Sequence, residues 1–124
     1  MYRSNLLSSF KYAFAGLAYL VRTQRNARIH LGISLVVIVL GFWSGLSRTE
    51  WAIIALTIGL VLAAESFNTV AEAAVDLASP QFHPLAKIAK DVAAGAVLLM
   101  AIAAVVVGLL ILGPPLWRAL LARP

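Results

Sequence analysis

Cysteine is missing from all 124 residues, which excludes disulfides, thiolate metal sites and thiol catalysis. Acidic residues are scarce: five against ten lysines and arginines, for a formal net charge of +5. No GxxxxGKS/T phosphate loop and no GxGxxG turn occurs, so the usual soluble nucleotide-binding signatures are absent. There is no HExxH zinc motif, and the two histidines, His30 and His83, stand far apart in different contexts. Basic residues are not interleaved with stacking aromatics, which argues against a nucleic-acid partner. A signal-peptide layout is lacking, since Lys11 interrupts the N-terminal segment and no apolar run ends in a cleavage site. Internal repeats and low-complexity linkers are lacking too.

Apolar residues are abundant by contrast, at 62% of the chain with a mean hydropathy of +0.94. Soluble domains run at about 45–50% apolar. A chain this small has too little interior to hide the surplus, so lipid must solvate much of it. The expectation is one domain, residues 1–124, of an all-α integral membrane protein. Residues 4–22 carry Leu6, Leu7, Phe10, Ala13, Phe14, Leu17 and Val21 at helical spacing. Ser4, Ser8, Lys11, Ala15 and Arg22 fall toward the other side, the pattern of an amphipathic helix lying in the membrane interface. RTQRNARIH, residues 22–30, reads as a polar elbow feeding a first span over 29–46. Gly41 and Gly45 form a GxxxG pair of little weight, and Trp43 and Trp51 suit interface anchors. The loop 47–50 leads into a second span over 51–78, which Ser79-Pro80 ends. Pro84 suits the first turn of a third span over 86–112, and Gly113-Pro114-Pro115 reads as its stop.

Arg3, Lys11, Arg22, Arg25, Arg28, Lys87 and Lys90 fall on one side of this layout; Arg48, Arg118 and Arg123 fall on the other. The positive-inside rule then puts the N-terminus and the 77–87 turn in the cytoplasm.

Four of the five acidic residues lie between Glu65 and Asp91. Glu65, Asn68, Glu72 and Asp76 fall on one stripe of a helix, with Glu72 and Asp76 each about 20° from Glu65. About 14 residues, roughly 21 Å of rise, separate Trp51 from Glu65, short of the ~30 Å hydrocarbon thickness. Glu65 is therefore expected inside the leaflet, with Glu72 and Asp76 emerging toward water on the side that holds ATP. Two readings fit this stripe. It can pair with lysines and arginines of neighbouring helices and hold a bundle together. Alternatively a desolvated Glu65 acts as general base, Glu72 binds Mg²⁺, and Lys90 and Asp91 meet a nucleotide. A transporter path is a further reading, but it would set charges near the midplane on more than one span. His30 is expected to cap or hydrogen-bond near the start of the first span, and His83 to lie beside a polar ligand. Residue chemistry alone leaves the alternatives open.

The elements ESFNTVAEAAVD and HPLAKIAKDVAAGAV, with KYAFAGL and RNARIHL before them, resemble the prokaryotic diacylglycerol kinase and undecaprenol kinase family. The likeness covers nearly the whole chain. RIHL, SPQFHPLAKIAKDVAAGAVLL and the lack of cysteine look more like the undecaprenol kinase branch. The resemblance implies a bacterial inner- or plasma-membrane enzyme that transfers the γ-phosphate of MgATP to a lipid alcohol, undecaprenol in the first place and diacylglycerol as the alternative. It also implies a homotrimer whose sites are shared between subunits. By the same likeness Glu65 is the catalytic base at the lipid hydroxyl, Glu72 a metal-binding glutamate, and Asn68 and Asp76 support the site. Lys90 and Asp91 contact the nucleotide, with Lys90 stabilising the transferring group. Gln81, Phe82 and His83 approach the nucleotide, and Tyr12 lies near the adenine. The family commonly has a second metal-binding glutamate where this chain has Gln24. A carbonyl oxygen there lightens the metal site, and it keeps a non-catalytic scaffold subunit open as a reading.

Overall fold

The computed structural model describes residues 5–122, all of whose regular structure is helical. Arg3, Ser4 and Arg123 lie outside the described residues. Four helices follow in order: α1 Leu6–Thr23, α2 Arg25–Ser44, α3 Arg48–Ala78 and α4 Pro84–Leu121. The last three are each long and apolar enough to cross a membrane.

The apolar stripe of α1 points away from the other helices. Leu6, Leu7, Phe10, Phe14 and Leu17 are all exposed, and α1 is anchored instead by Leu20, which is buried. The expected elbow over 22–30 shrinks to one extended residue, Gln24 (φ −97°, ψ 116°), with helix on both sides. Arg28 explains how so short a joint suffices. Its Nη1 reaches back to donate to the carbonyls of Val21 (3.2 Å) and Arg22 (3.0 Å), which α1 leaves open at its end. The helix that carries the expected first span therefore starts at Arg25.

At the far end of α2, Gly45 adopts a left-handed conformation (φ 67°) that a side chain would strain. The amides of Gly45 and Leu46 close back on the carbonyls of Phe42 and Gly41. Trp51 packs tightly on Gly41: a Cβ there would stand 2.7 Å from its ring. The same indole meets Phe42, with ring centroids 4.8 Å apart. Gly41 and Gly45 thus serve a ring contact and a turn rather than one GxxxG face. The loop expected over 47–50 is already helix from Arg48. Ser47 caps it through a reciprocal pair, Glu50 N–H to Ser47 Oγ (3.3 Å) and Ser47 N–H to Glu50 Oε2 (2.8 Å).

The α3–α4 turn follows the sequence expectation more closely. Helix α3 stops at Ala78 before Pro80, and Pro84 opens α4 with His83 as its cap, Nδ1 accepting from Leu85 N–H at 3.1 Å. The expected stop at Gly113-Pro114-Pro115 does not occur, because α4 continues through both prolines to Leu121. The pair removes two N–H donors, but a proline ring is preset for the first turn of a helix. From Leu116 onward the residues again carry N–H donors and the helix continues. Helix α4 packs chiefly along α3, and the apolar side chains buried among the described residues are few: Leu20, Ala27, Ile54, Val61 and Leu112.

Candidate active site

Helix α3 carries the carboxylate stripe out of the protein in steps. Glu65 is 2% exposed and Asn68 9%, Glu72 is half-buried, and the Asp76 side chain is 65% exposed. Helical spacing alone aligned these residues; packing of α2 and α4 against α3 makes the deep end dry and the shallow end wet. Asn68 Nδ2 donates to Glu72 Oε1 at 3.1 Å, one turn apart. Asp76 pairs with Lys90 Nζ on α4 at 2.5 Å, which ties the open end of the stripe to the next helix. Asp91 turns to Lys87 on its own helix, at 2.5 Å, with both side chains largely exposed.

The sequence leads one to expect His30 to cap or hydrogen-bond near the start of the first span, with no partner on another helix. Instead it stands in the second turn of α2, with Nε2 3.9 Å from Glu65 Oε1. Its own signal was an ionisable side chain inside an apolar helix, which is rarely idle in a membrane. What no single helix reveals is that the partner lies on α3. Gln24 occupies the α1–α2 joint, where its amide donates to Thr23 Oγ1 at 3.4 Å, and no hydrogen bond links it to Glu72 among the described residues. Tyr12, Gln81 and Phe82 are exposed, Tyr12 on α1 and the other two in the α3–α4 turn. His83 spends Nδ1 on its cap and keeps Nε2 free of that role.

Three buried oxygens have no hydrogen-bond partner among the described residues, Ser44 Oγ at the far end of α2 and, within the stripe, Glu65 Oε1 and Asn68 Oδ1. Buried polar atoms are normally paired, so the two in the stripe invite a ligand. Asn68 Oδ1 and the Glu72 carboxylate together offer hard oxygen donors of the kind Mg²⁺ takes. No group of three or more acidic, His or Cys side chains able to hold a metal occurs among the described residues. A magnesium site needs none, since Mg²⁺ is usually held by one or two carboxylates with substrate phosphates completing the shell.

The pattern characteristic of the prokaryotic diacylglycerol kinase family matches residues 11–112, from α1 to the last turns before the prolines. The chain belongs to that family. It is a family of lipid kinases. A diacylglycerol kinase of Synechocystis sp. is 53% identical over 113 residues, covering 90% of this chain and 65% of the relative. The chain thus spans somewhat less than two thirds of that relative's length. An undecaprenol kinase of Bacillus subtilis is 42% identical, with 91% of this chain and 92% of the relative covered. A diacylglycerol kinase of Pseudomonas aeruginosa is 33% identical over 73% of this chain and 74% of its own length.

Proposed function

We propose that the protein is an ATP-dependent kinase of a membrane lipid alcohol, working at the cytoplasmic face of a bacterial membrane. The observation that carries this reading is the graded stripe: a buried carboxylate with an unpartnered oxygen at one end, and polar groups suited to a nucleotide at the other. Glu65 takes the proton of the lipid hydroxyl as that oxygen attacks the γ-phosphorus of ATP, and ADP leaves with the electrons of the broken bond. Glu72 would hold Mg²⁺ together with the phosphates, and Asn68 orients Glu72 through its amide. When bound, the ion offsets phosphate charge. Lys90, held in place by Asp76, presents its ammonium to the phosphates, with Asp91 beside it. Gln81, Phe82 and His83 border the nucleotide from the turn, Tyr12 borders it from α1, and Gln24 contributes at most a neutral oxygen to the metal.

Undecaprenol is the first substrate expected, supported by the Bacillus subtilis relative that this chain covers almost end to end. Diacylglycerol is the second reading, favoured by the higher identity to the Synechocystis relative. The exposed apolar stripe of α1 supports an interfacial position for that helix. The thin core of the single chain leaves room for further copies to pack on it, and we read that assembly as the homotrimer with shared sites that the family resemblance implies.

The test is phosphoryl transfer in mixed micelles with labelled ATP and Mg²⁺, offering undecaprenol and diacylglycerol side by side, with Glu65→Gln as the blank. Transfer that disappears in the blank establishes the kinase and names its preferred alcohol. No transfer to either alcohol by a folded oligomer would return the chain to the scaffold reading.

A further inference from the structure

An apolar cavity of about 330 Å³ lies between α2, α3 and α4, within the usual size of a ligand cleft, about 300–1,000 Å³. His30, Val61 and Ala101 line it at the end nearest Glu65; Val37, Ile54 and Leu109 line the other. Two further polar residues line it, and both use their hydroxyl donors within their own helices. Ser34 Oγ donates to the His30 carbonyl (2.7 Å) and Thr57 Oγ1 to the Ile53 carbonyl (2.7 Å). The imidazole of His30 is thus the side chain of this lining with an N–H left to donate to another molecule, and its Nε2 lies 3.9 Å from the buried Glu65 carboxylate.

The separation between the two groups is informative. At 3.9 Å, His30 Nε2 and Glu65 Oε1 are too far apart for a hydrogen bond to each other. Two hydrogen bonds of about 2.8 Å that meet at a single oxygen span about 4–4.5 Å, so the gap is close to that of one shared hydroxyl. Glu65 Oε1 is buried without a partner, as an atom waiting for such a donor would be.

We infer that His30 and Glu65 together hold the hydroxyl of the acceptor lipid, with its chain directed along the α2–α3–α4 cavity. This rests on the kinase reading and adds to it a second residue at the reacting oxygen. The hydroxyl donates its proton to Glu65 Oε1 and accepts from the Nε2–H of His30. One lone pair remains for the γ-phosphorus. As the new O–P bond forms, the O–H proton passes to Glu65 and the bond from phosphorus to the bridging oxygen breaks, releasing ADP. His30 donates throughout and exchanges no proton.

The experiment compares wild type, His30→Leu and His30→Gln in mixed micelles, varying lipid alcohol and ATP separately, with thermal unfolding recorded for each. In His30→Leu, kcat/KM for the alcohol falls about 10–100-fold while the KM for ATP and the melting temperature hold. His30→Gln, whose amide N–H reaches about as far, recovers most of the loss. If His30→Leu does not fold, His30→Asn replaces it, since its shortened donor falls back from the hydroxyl and brings the same loss. Wild-type kcat/KM in His30→Leu would overturn this inference and leave the kinase standing. So would a loss shared equally by the ATP KM and the melting temperature, or no recovery in a folded His30→Gln. Absence of transfer by the wild-type chain would overturn both readings.

Discussion

A carboxylate 2% exposed, with one oxygen lacking a hydrogen bond, is costly to keep charged, because it has given up water without full compensation. Glu65→Gln removes that charge at almost constant shape. The expected result is an enzyme that melts at the same temperature or higher, binds nucleotide as before and loses turnover by about 10²–10⁴-fold; an active variant would remove Glu65 from the role of base. Gln24→Glu adds a charge at the α1–α2 joint. It should lower the Mg²⁺ concentration for half-maximal activity several-fold, read from a Mg²⁺ titration at saturating ATP; an unchanged titration would move position 24 away from the metal. The line from Glu65 through Asn68 and Glu72 to Asp76 was legible beforehand, because residues at these offsets must share a helix face whatever surrounds them. His30 was not legible as their neighbour. Its place beside Glu65 depends on how α2 crosses α3, and no spacing within either helix encodes that.

The ends of the helices are set by chemistry of different visibility. Ser79-Pro80 and Pro84 act through backbone geometry fixed by the residue itself, so a linear reading found them. Ser47 and Glu50 form a capping box at the S-x-x-E spacing, within a stretch whose polar composition alone reads as a loop. Pro114-Pro115 misled in the other direction, since the pair interrupts the hydrogen-bond ladder without ending the helix. Gly41 and Gly45 give a test at this scale. Gly45→Ala places a methyl on a residue at φ 67° and should cost about 1 kcal/mol. Gly41→Ala drives a methyl to 2.7 Å from the Trp51 ring and should cost about 1–3 kcal/mol. Thermal unfolding in detergent reads both. Relief of the second by Trp51→Leu, but not of the first, would confirm that the two glycines serve separate ends.

A single copy of this chain has little interior of its own, and most of its apolar side chains face outward. Lipid and further copies are the natural cover for that surface. Cross-linking in membranes should accordingly trap a trimer, and a chain that remains monomeric at all concentrations would refute it. The lack of native cysteine makes the orientation directly measurable. A single Gln81→Cys should react with an impermeant maleimide only from the cytoplasmic side, and Arg48→Cys only from the opposite side. Labelling in the reverse sense would invert the topology.

Helix α4, 38 residues long, extends about 57 Å, far more than the ~30 Å of hydrocarbon it would cross. Its two ends are held differently. Near Lys90 it is clasped to α3 through Asp76, while Pro114 and Pro115 leave the carbonyls of Leu110 and Ile111 without helical partners. The far end is thus a compliant joint and the near end a fixed one. Hydrophobic mismatch is taken up where the helix yields, so thinning or thickening the bilayer should bend the joint and spare the register of Glu65 against His30. Turnover measured across vesicles of short, medium and long acyl chains should vary little in the wild type. In a Pro114→Ala/Pro115→Ala variant, the same series should become steep, because a straight helix passes the strain along its length to the end that carries the site.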